Sequence, residues 1–520
     1  MALDLWRSRR RPTHAEAASG HPKRRKAPKL GPTEPAWRGW EMPGGGRTPI
    51  VDAAPEWRGP SVQVAGLYPF SAGASLPMTG APLGPHLHQR GVVCADPVSW
   101  FAAGLINNPS AFVLGRPGLG KSSLVCRILI MLAVKGLIPM VLSDVKGEYA
   151  PLIRGLDGQV IRPQRGAAYV NPLDRGPLWP LLATLPEQLR GAAEADIDAR
   201  RLNVLYGLCE LALVRQLRAH ERNALSQALQ LWESRHPDET PVLPDLLDVV
   251  LERPDALTQV VHDRGDPDRY FDRLEGVIDA LTSLAGNGEF GDIFAHHTSV
   301  TIEMHRPLCV DLSWVDEQDT RLQAGLQLVM WSIGSGAVAA AKFAAEAGVA
   351  PRRSYLMVMD ELWRSLKAAD FMVYRVDEIT RLNRTLNLAQ ILCTHTMDDL
   401  KLTTAEATEK AFGFVSRSEM VFMGGLAPKE MGNLRQVFAI TEQEQKQLEA
   451  WSPPGETNPD TGTSDPPPGR GKFMLKVGQQ IGTPFSVLLS QLEIDVHDTN
   501  VNWRDTIESL NRTRPVGGDA

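Results

Sequence analysis

The amino-acid sequence predicts an α/β fold with a mostly parallel central sheet and a helical segment inserted into it. Three observations carry that expectation. First, an apolar run, Ala111 to Leu114, leads into a glycine-rich loop, a helix-patterned stretch from Ser122 to Lys135, and a second apolar run from Pro139 to Ser143. Strand, loop, helix and strand within about 35 residues make a right-handed βαβ unit, because parallel neighbours need a crossover. Second, between Trp179 and Ala285 the pattern turns to long amphipathic helices, such as Ala195 to Leu217 and Glu221 to Arg235, with breakers at Pro237, Pro241, Pro244 and Pro254. Third, apolar runs resume at Leu308–Leu312, Tyr355–Met359 and Ala389–Cys393, so the sheet continues beyond the helices. A terminal pair of strands is expected at Lys472–Val477 and Phe485–Leu489, after a polar Pro/Gly loop from Ser452 to Arg470. The stretch from Gly66 to Ser110, with five prolines from Pro69 to Pro97, reads as loop.

Composition narrows the classes. With 520 residues, 43% hydrophobic and 22% charged, the chain is not fibrous or mostly disordered. Its 55 Lys+Arg against 61 Asp+Glu leave −6, which excludes a polycation that coats nucleic acid indiscriminately. The charge is segregated. Residues 1–40 hold ten Lys/Arg against three Asp/Glu, so the remainder carries −13. Runs such as Arg9–Arg11 and Lys23–Lys26 make residues 1–60 a disordered basic N-terminal tail, free in solvent or held on DNA phosphates or anionic lipid. Cys94, Cys126, Cys209, Cys309 and Cys393 form no C-x-x-C pair, which fits reduced thiols rather than a disulfide framework or zinc ribbon. No apolar run follows the N-terminal arginines as an export signal requires. Leu322 to Ala341, interrupted by Gln323, Gln327, Ser332 and Ser335, reads as a buried helix rather than a membrane span. The expected location is cytoplasmic, with peripheral docking at the membrane as an option.

The chemistry begins at Gly115-Arg116-Pro117-Gly118-Leu119-Gly120-Lys121-Ser122, which matches the phosphate loop G-x-x-x-x-G-K-S in the required strand-to-helix setting. Backbone N–H groups from Gly115 to Ser123 would cradle phosphates at a helix N-terminus. Lys121 would reach the β- and γ-phosphates, and Ser122 would supply an oxygen to Mg²⁺. The Tyr355–Met359 run ends in Asp360-Glu361. Asp360 is the candidate metal carboxylate and Glu361 the candidate group that polarises water, in a sheet with one strand added between the loop strand and the acidic strand. Lys121 and Asp360 stand 239 residues apart and no N-K-x-D run is present, so small GTPases and nucleoside kinases recede. Thr394-His395 closes another apolar strand where a γ-phosphate sensor would stand. Arg381 and Arg384, which precede this strand, are the candidate arginine fingers toward a neighbouring subunit, with Arg417 and Arg435 as rivals. Asp144, Lys146 and Glu148, just past a strand end, lie where open α/β sheets bind ligands, and a carboxylate there can steer nucleotide or water.

The order of these elements, with Ser143-Asp144-Val145-Lys146-Gly147-Glu148-Tyr149 after the second strand, Asp360-Glu361-Leu362-Trp363 and Thr394-His395, resembles the HerA-FtsK superfamily of ring-shaped motor ATPases. Within it, Asn171-Pro172-Leu173-Asp174, Gly288 to Phe294 and the acidic motif followed by Trp resemble the assembly ATPase of type IV secretion and conjugation, the TraC type. Gly91 to Asn108 and His497 to Trp503 are similar to its actinobacterial branch. The resemblance spans about residues 80–505. It implies a RecA-like P-loop ATPase fold, ATP and Mg²⁺ as ligands, a homo-hexamer, and partners among transfer-apparatus proteins at the inner face of the membrane, with DNA a further candidate. The implied organisation is a basic tail at 1–60, a P-loop ATPase domain at 61–175 and 297–505 interrupted by a helical insertion at 176–296, and a tail at 506–520. The implied function is that of a motor or assembly ATPase. The alternatives are a DNA-translocating ATPase of the coupling-protein or FtsK kind, and a nucleotide-gated protein that binds ATP without turning it over.

Overall fold

The computed structural model describes residues 77–496 apart from 90, 369, 371, 382–385 and 456–465. The expected tails at 1–60 and 506–520 lie outside the described residues, as does Arg384.

The described residues open on a short hairpin, β1 (Pro82–Pro85) and β2 (Val92–Cys94), and a helix, α1 (Pro97–Ala102). The prolines predict loop here. Tertiary contacts override them: Leu488 N–H donates to the Leu83 carbonyl at 2.9 Å, and the buried Asp96 carboxylate accepts from Ala81 N–H at 2.8 Å and caps α1 through Ser99 N–H at 2.6 Å.

The βαβ unit follows as β3 (Ser110–Leu114), α2 (Lys121–Val134) and β4 (Ile138–Asp144), then α3 (Ala150–Gly155) and β5 (Gln159–Ile161). Five helices come next: α4 (Glu187–Leu213), α5 (Ala219–Arg235), α6 (Leu243–Leu251), α7 (Asp255–Val261) and α8 (Pro267–Thr282). The sheet resumes with β6 (Leu308–Asp311), α9 (Thr320–Glu346), β7 (Tyr355–Met359), α10 (Leu362–Ala368), α11 (Met372–Arg381) and β8 (Leu388–Thr394). It finishes with α12 (Ala405–Arg417), β9 (Met420–Met423), α13 (Met431–Val437), α14 (Glu442–Ala450), β10 (Lys472–Val477), β11 (Thr483–Ser486) and α15 (Gln491–Val496).

Nine strands form one sheet in the order β11-β10-β9-β3-β8-β7-β4-β6-β5. From β9 to β5 every pairing is parallel, and β10 joins antiparallel to both of its neighbours. The central strands are buried on both faces, which is why they read as continuous apolar runs rather than alternating ones. Phe112 and Leu114 feed the core on one side of the sheet, Ala111 and Val113 the core on the other. One strand, β8, lies between the loop strand β3 and the acidic strand β7, as expected from the sequence.

The α9 helix is long and apolar enough to cross a membrane, yet two-thirds of its most apolar window is buried inside the fold, against α4, α10 and β4. Its seat on the sheet needs a glycine: a Cβ on Gly334 would come within 2.4 Å of the Leu142 side chain. Asn171 and the Gly288–Phe294 stretch fasten the helical segment to the sheet. Asn171 Nδ2 donates to the Pro241 carbonyl at 2.8 Å, Val170 N–H donates to the Ile293 carbonyl at 3.0 Å, and Phe290, Ile293 and Phe294 are buried.

Candidate functional site

The glycine loop joins β3 to α2 at the C-terminal edge of the parallel sheet, the edge where open α/β folds bind ligands. Gly118 and Gly120 adopt φ of +77° and +92°, a region that disfavours ordinary side chains, so these two glycines of the motif are required by the backbone. Lys121 is almost fully buried. Its Nζ donates to the Gly115 carbonyl at 2.8 Å and lies 2.8 Å from His395 Nδ1. Burial lowers its pKa, and Asp360 and Glu361 oppose that by favouring the ammonium.

Because β8 separates β3 from β7, the acidic end of β7 faces the loop across His395. Asp360 is 8% exposed; its Oδ2 accepts the Tyr149 hydroxyl at 2.9 Å and its Oδ1 accepts Glu361 N–H at 2.9 Å. Burial and the Glu361 charge push its pKa up, and Lys121 opposes them. Glu361 has a left-handed backbone, φ +50°, of the kind that strained functional positions adopt. It is 2% exposed, and both oxygens are engaged. Oε1 pairs with Lys146, while Oε2 accepts Trp363 Nε1–H at 2.5 Å and lies 3.2 Å from His395 Nε2. Burial alone would raise this carboxyl, but His395 and Lys146 together hold it well below the usual range. The tautomer of His395 that satisfies both neighbours carries its proton on Nε2, donates to Glu361 and accepts from Lys121.

Lys121, Lys146, Asp360 and Glu361 open on a cleft of 890 Å³ that also exposes Ser122, Ser123, Pro117, Gly118 and Gly120. Its opposite wall is built from Arg470, Gly471 and the segment from Val487 to Asp495. Two devices hold that wall in place. Arg127 of α2 grips Glu493 of α15 with contacts of 2.8 and 2.7 Å, and Gly471 N–H donates to the Leu119 carbonyl at 2.9 Å.

Several sequence expectations meet a different geometry. Gly115, Arg116 and Leu119 do not line the cleft. They shape the loop instead, with Arg116 Nη1 donating to the Ser452 carbonyl at 2.8 Å and Leu119 buried. Asp144 does not steer ligand, since its oxygens accept the amides of Glu148 at 2.9 Å, Tyr149 at 2.9 Å and Ala150 at 3.0 Å and so build the loop that presents Lys146 and Glu148. Thr394 sits at the end of β8 with a buried Oγ1 that has no hydrogen-bond partner among the described residues. Of the arginines, Arg417 is bound to Asp377 at 2.6 Å and Arg435 donates to Gln445 at 2.6 Å.

A metal fits this donor set. Ser122 and Asp360 offer hard oxygens in one cleft, the pattern by which Mg²⁺ is held through one or two protein oxygens together with phosphates and water.

Phosphate loop, acidic strand end and interposed strand define the class: a P-loop nucleotide-binding protein of the RecA-like kind. Residues 108–328 match the family model described as the helicase HerA central domain. Among solved structures, VirB4 of Thermoanaerobacter pseudethanolicus matches with a TM-score of 0.58 at 16% identity, covering 80% of this chain and 99% of that one, and so shares its fold. The plasmid coupling protein TrwB, solved with ADP and Mg²⁺, matches with a TM-score of 0.46 at 13% identity over 74% of this chain and 86% of that one. Comparison with curated protein sequences gives no significant match.

Proposed function

We propose that this chain is an ATP-binding and ATP-hydrolysing assembly ATPase of a type IV secretion or conjugative-transfer apparatus. It acts as a homo-hexamer in the cytoplasm, docked on partner proteins at the inner face of the membrane. The observation that carries the reading is the convergence of Lys121, Ser122, Asp360 and Glu361 on one cleft, in a fold shared with nearly the full length of VirB4.

The chemistry follows from the residues. Loop amides and Lys121 hold the triphosphate at the N-terminus of α2. Ser122 and Asp360 would hold Mg²⁺, which supplies charge neutralisation on the phosphates when bound. The glutamate orients a water for in-line attack; a bond forms between water oxygen and the γ-phosphorus, the bond from that phosphorus to the ADP oxygen breaks, and the water proton passes to Glu361. His395 would sense the γ-phosphate, a role supported by its contacts with both Lys121 and Glu361. The wall from Arg470 to Asp495 takes the ribose and base, the part of the nucleotide beyond Ser123.

Steady-state ATP hydrolysis with and without DNA tests this reading. DNA-indifferent turnover agrees with an assembly ATPase. Strong stimulation by DNA transfers the chain to the DNA-translocating class, and no turnover under either condition leaves a nucleotide-gated interaction protein.

A further inference from the structure

We propose that Lys146 is a catalytic residue of this site: a cation that moves from Glu361 to the γ-phosphate of a bound triphosphate and, in moving, frees Glu361 to accept the proton of the attacking water. The inference rests on the ATP-hydrolysing reading above and deepens it.

The placement comes from the sheet. Strands β4 and β7 are parallel neighbours, paired from Ile138 with Tyr355 to Val141 with Val358, so their C-terminal ends emerge side by side. Asp144 then collects the amides of residues 148–150 and folds the loop after β4 back on itself. That turn carries the Lys146 ammonium onto Glu361 Oε1, at the edge of the cleft that also holds Lys121 and Ser122.

The two oxygens of Glu361 are unequal. Trp363 and His395 share Oε2, and both arise from elements that pack against the core. Lys146 has Oε1, and its side chain is 37% exposed on a flexible four-carbon stem. A water proton must be delivered to a carboxylate oxygen that faces the water and still carries its charge. An ammonium on Oε1 occupies that oxygen and cancels its charge, so Glu361 is held inactive while Lys146 stays. Of the partners of Glu361, Lys146 is the one whose side chain lines the open cleft.

A γ-phosphate supplies the reason to move. With Lys121 on the β- and γ-phosphates, a γ-phosphate in this cleft would lie toward the acidic end of β7, beside Lys146. A dense anion there competes with the carboxylate for the same ammonium, and charge-assisted contacts to phosphate are among the stronger hydrogen bonds. ADP lacks that group and leaves Lys146 on Glu361. The device therefore couples arrival of a triphosphate to exposure of the base, and it makes Lys146 a discriminator between ATP and ADP.

The test is calorimetric titration of the full chain with a non-hydrolysable ATP analogue and with ADP, for wild type, Lys146→Ala, Lys146→Arg and Lys121→Ala, together with turnover of each. For Lys146→Ala the expected result is an affinity for the triphosphate lowered about ten- to a hundredfold, with ADP affinity within about twofold of wild type. Turnover should fall, and Lys146→Arg should recover part of both losses. Lys121→Ala should lose both nucleotides. Retained ADP binding by Lys146→Ala certifies its fold. An equal loss for both nucleotides, unchanged triphosphate affinity, or faster turnover in Lys146→Ala overturns the proposal. If wild type itself binds neither nucleotide, the ATP-hydrolysing reading fails first.

Discussion

Tyr149 donates its hydroxyl to Oδ2 of Asp360 at 2.9 Å, across 211 residues of sequence, and ties the loop after β4 to the acidic end of β7. Both groups are buried, so the contact orients the carboxylate and favours its charged form. Supporting contacts of this sort are worth about ten- to a hundredfold in metal affinity. Tyr149→Phe should therefore raise the Mg²⁺ concentration needed for half-maximal ATP hydrolysis by about tenfold, with a folding loss of about 1 kcal/mol. Superimposable Mg²⁺ titrations for the two proteins would reduce Tyr149 to a packing residue.

The nucleotide cleft depends on a wall contributed from the far end of the described chain. Arg127 and Glu493 hold it by an ion pair in which Nη1 contacts both carboxylate oxygens, with both side chains largely buried, and Ser490 adds two contacts of 2.7 Å to the same carboxylate. Arg127→Ala leaves Glu493 without its counter-charge, a loss of about 2 to 4 kcal/mol by analogy with partly and fully buried pairs. Thermal melting should show that loss, and ADP binding should weaken in parallel. A destabilised variant with wild-type ADP affinity would detach α15 from the nucleotide site.

Asp144 gives a pH signature. Burial pushes its carboxyl up to about 6, against the pull of the three loop amides. The folded chain then holds this proton more tightly than the unfolded chain, whose carboxyl titrates near its ordinary value. Stability from this group is present below about pH 4 and is lost as pH rises through about 6. Relative to Asp144→Asn, wild type should lose about 3 kcal/mol across that window, measured by denaturant unfolding of both proteins at each pH. A flat difference curve would mean that Asp144 titrates alike in the folded and unfolded states.

The parts of this molecule that were legible in the sequence are the local ones. Gly115 to Ser122 declares itself because a single short stretch must supply the turn, the amides and the helix start, and the runs at Tyr355–Met359 and Ala389–Cys393 are continuous because those strands are buried on both faces. The hairpin at Pro82–Cys94 was hidden because its order comes from β11 rather than from its own residues. Strand β9 was hidden because four apolar residues, Met420 to Met423, fit a helix as well as a strand. In the site, the Arg116 contact to Ser452 spans 336 residues, and the pairing of Lys146 with Glu361 exists only because β4 and β7 are neighbours. Neither relationship leaves a local pattern. Asp144 misled for the same reason: a carboxylate at a strand end reads as a ligand until the backbone amides that consume it are in place.

The central claim is that Lys121 binds the triphosphate and Glu361 spends it, and the most direct test separates the two. Radiolabelled ATP should be incubated with wild type, Lys121→Ala and Glu361→Gln, and bound and hydrolysed nucleotide counted in each. The account predicts turnover by wild type, little bound nucleotide with Lys121→Ala, and intact ATP retained by Glu361→Gln with hydrolysis down by about 10²- to 10⁴-fold. Hydrolysis by Glu361→Gln at the wild-type rate would contradict it.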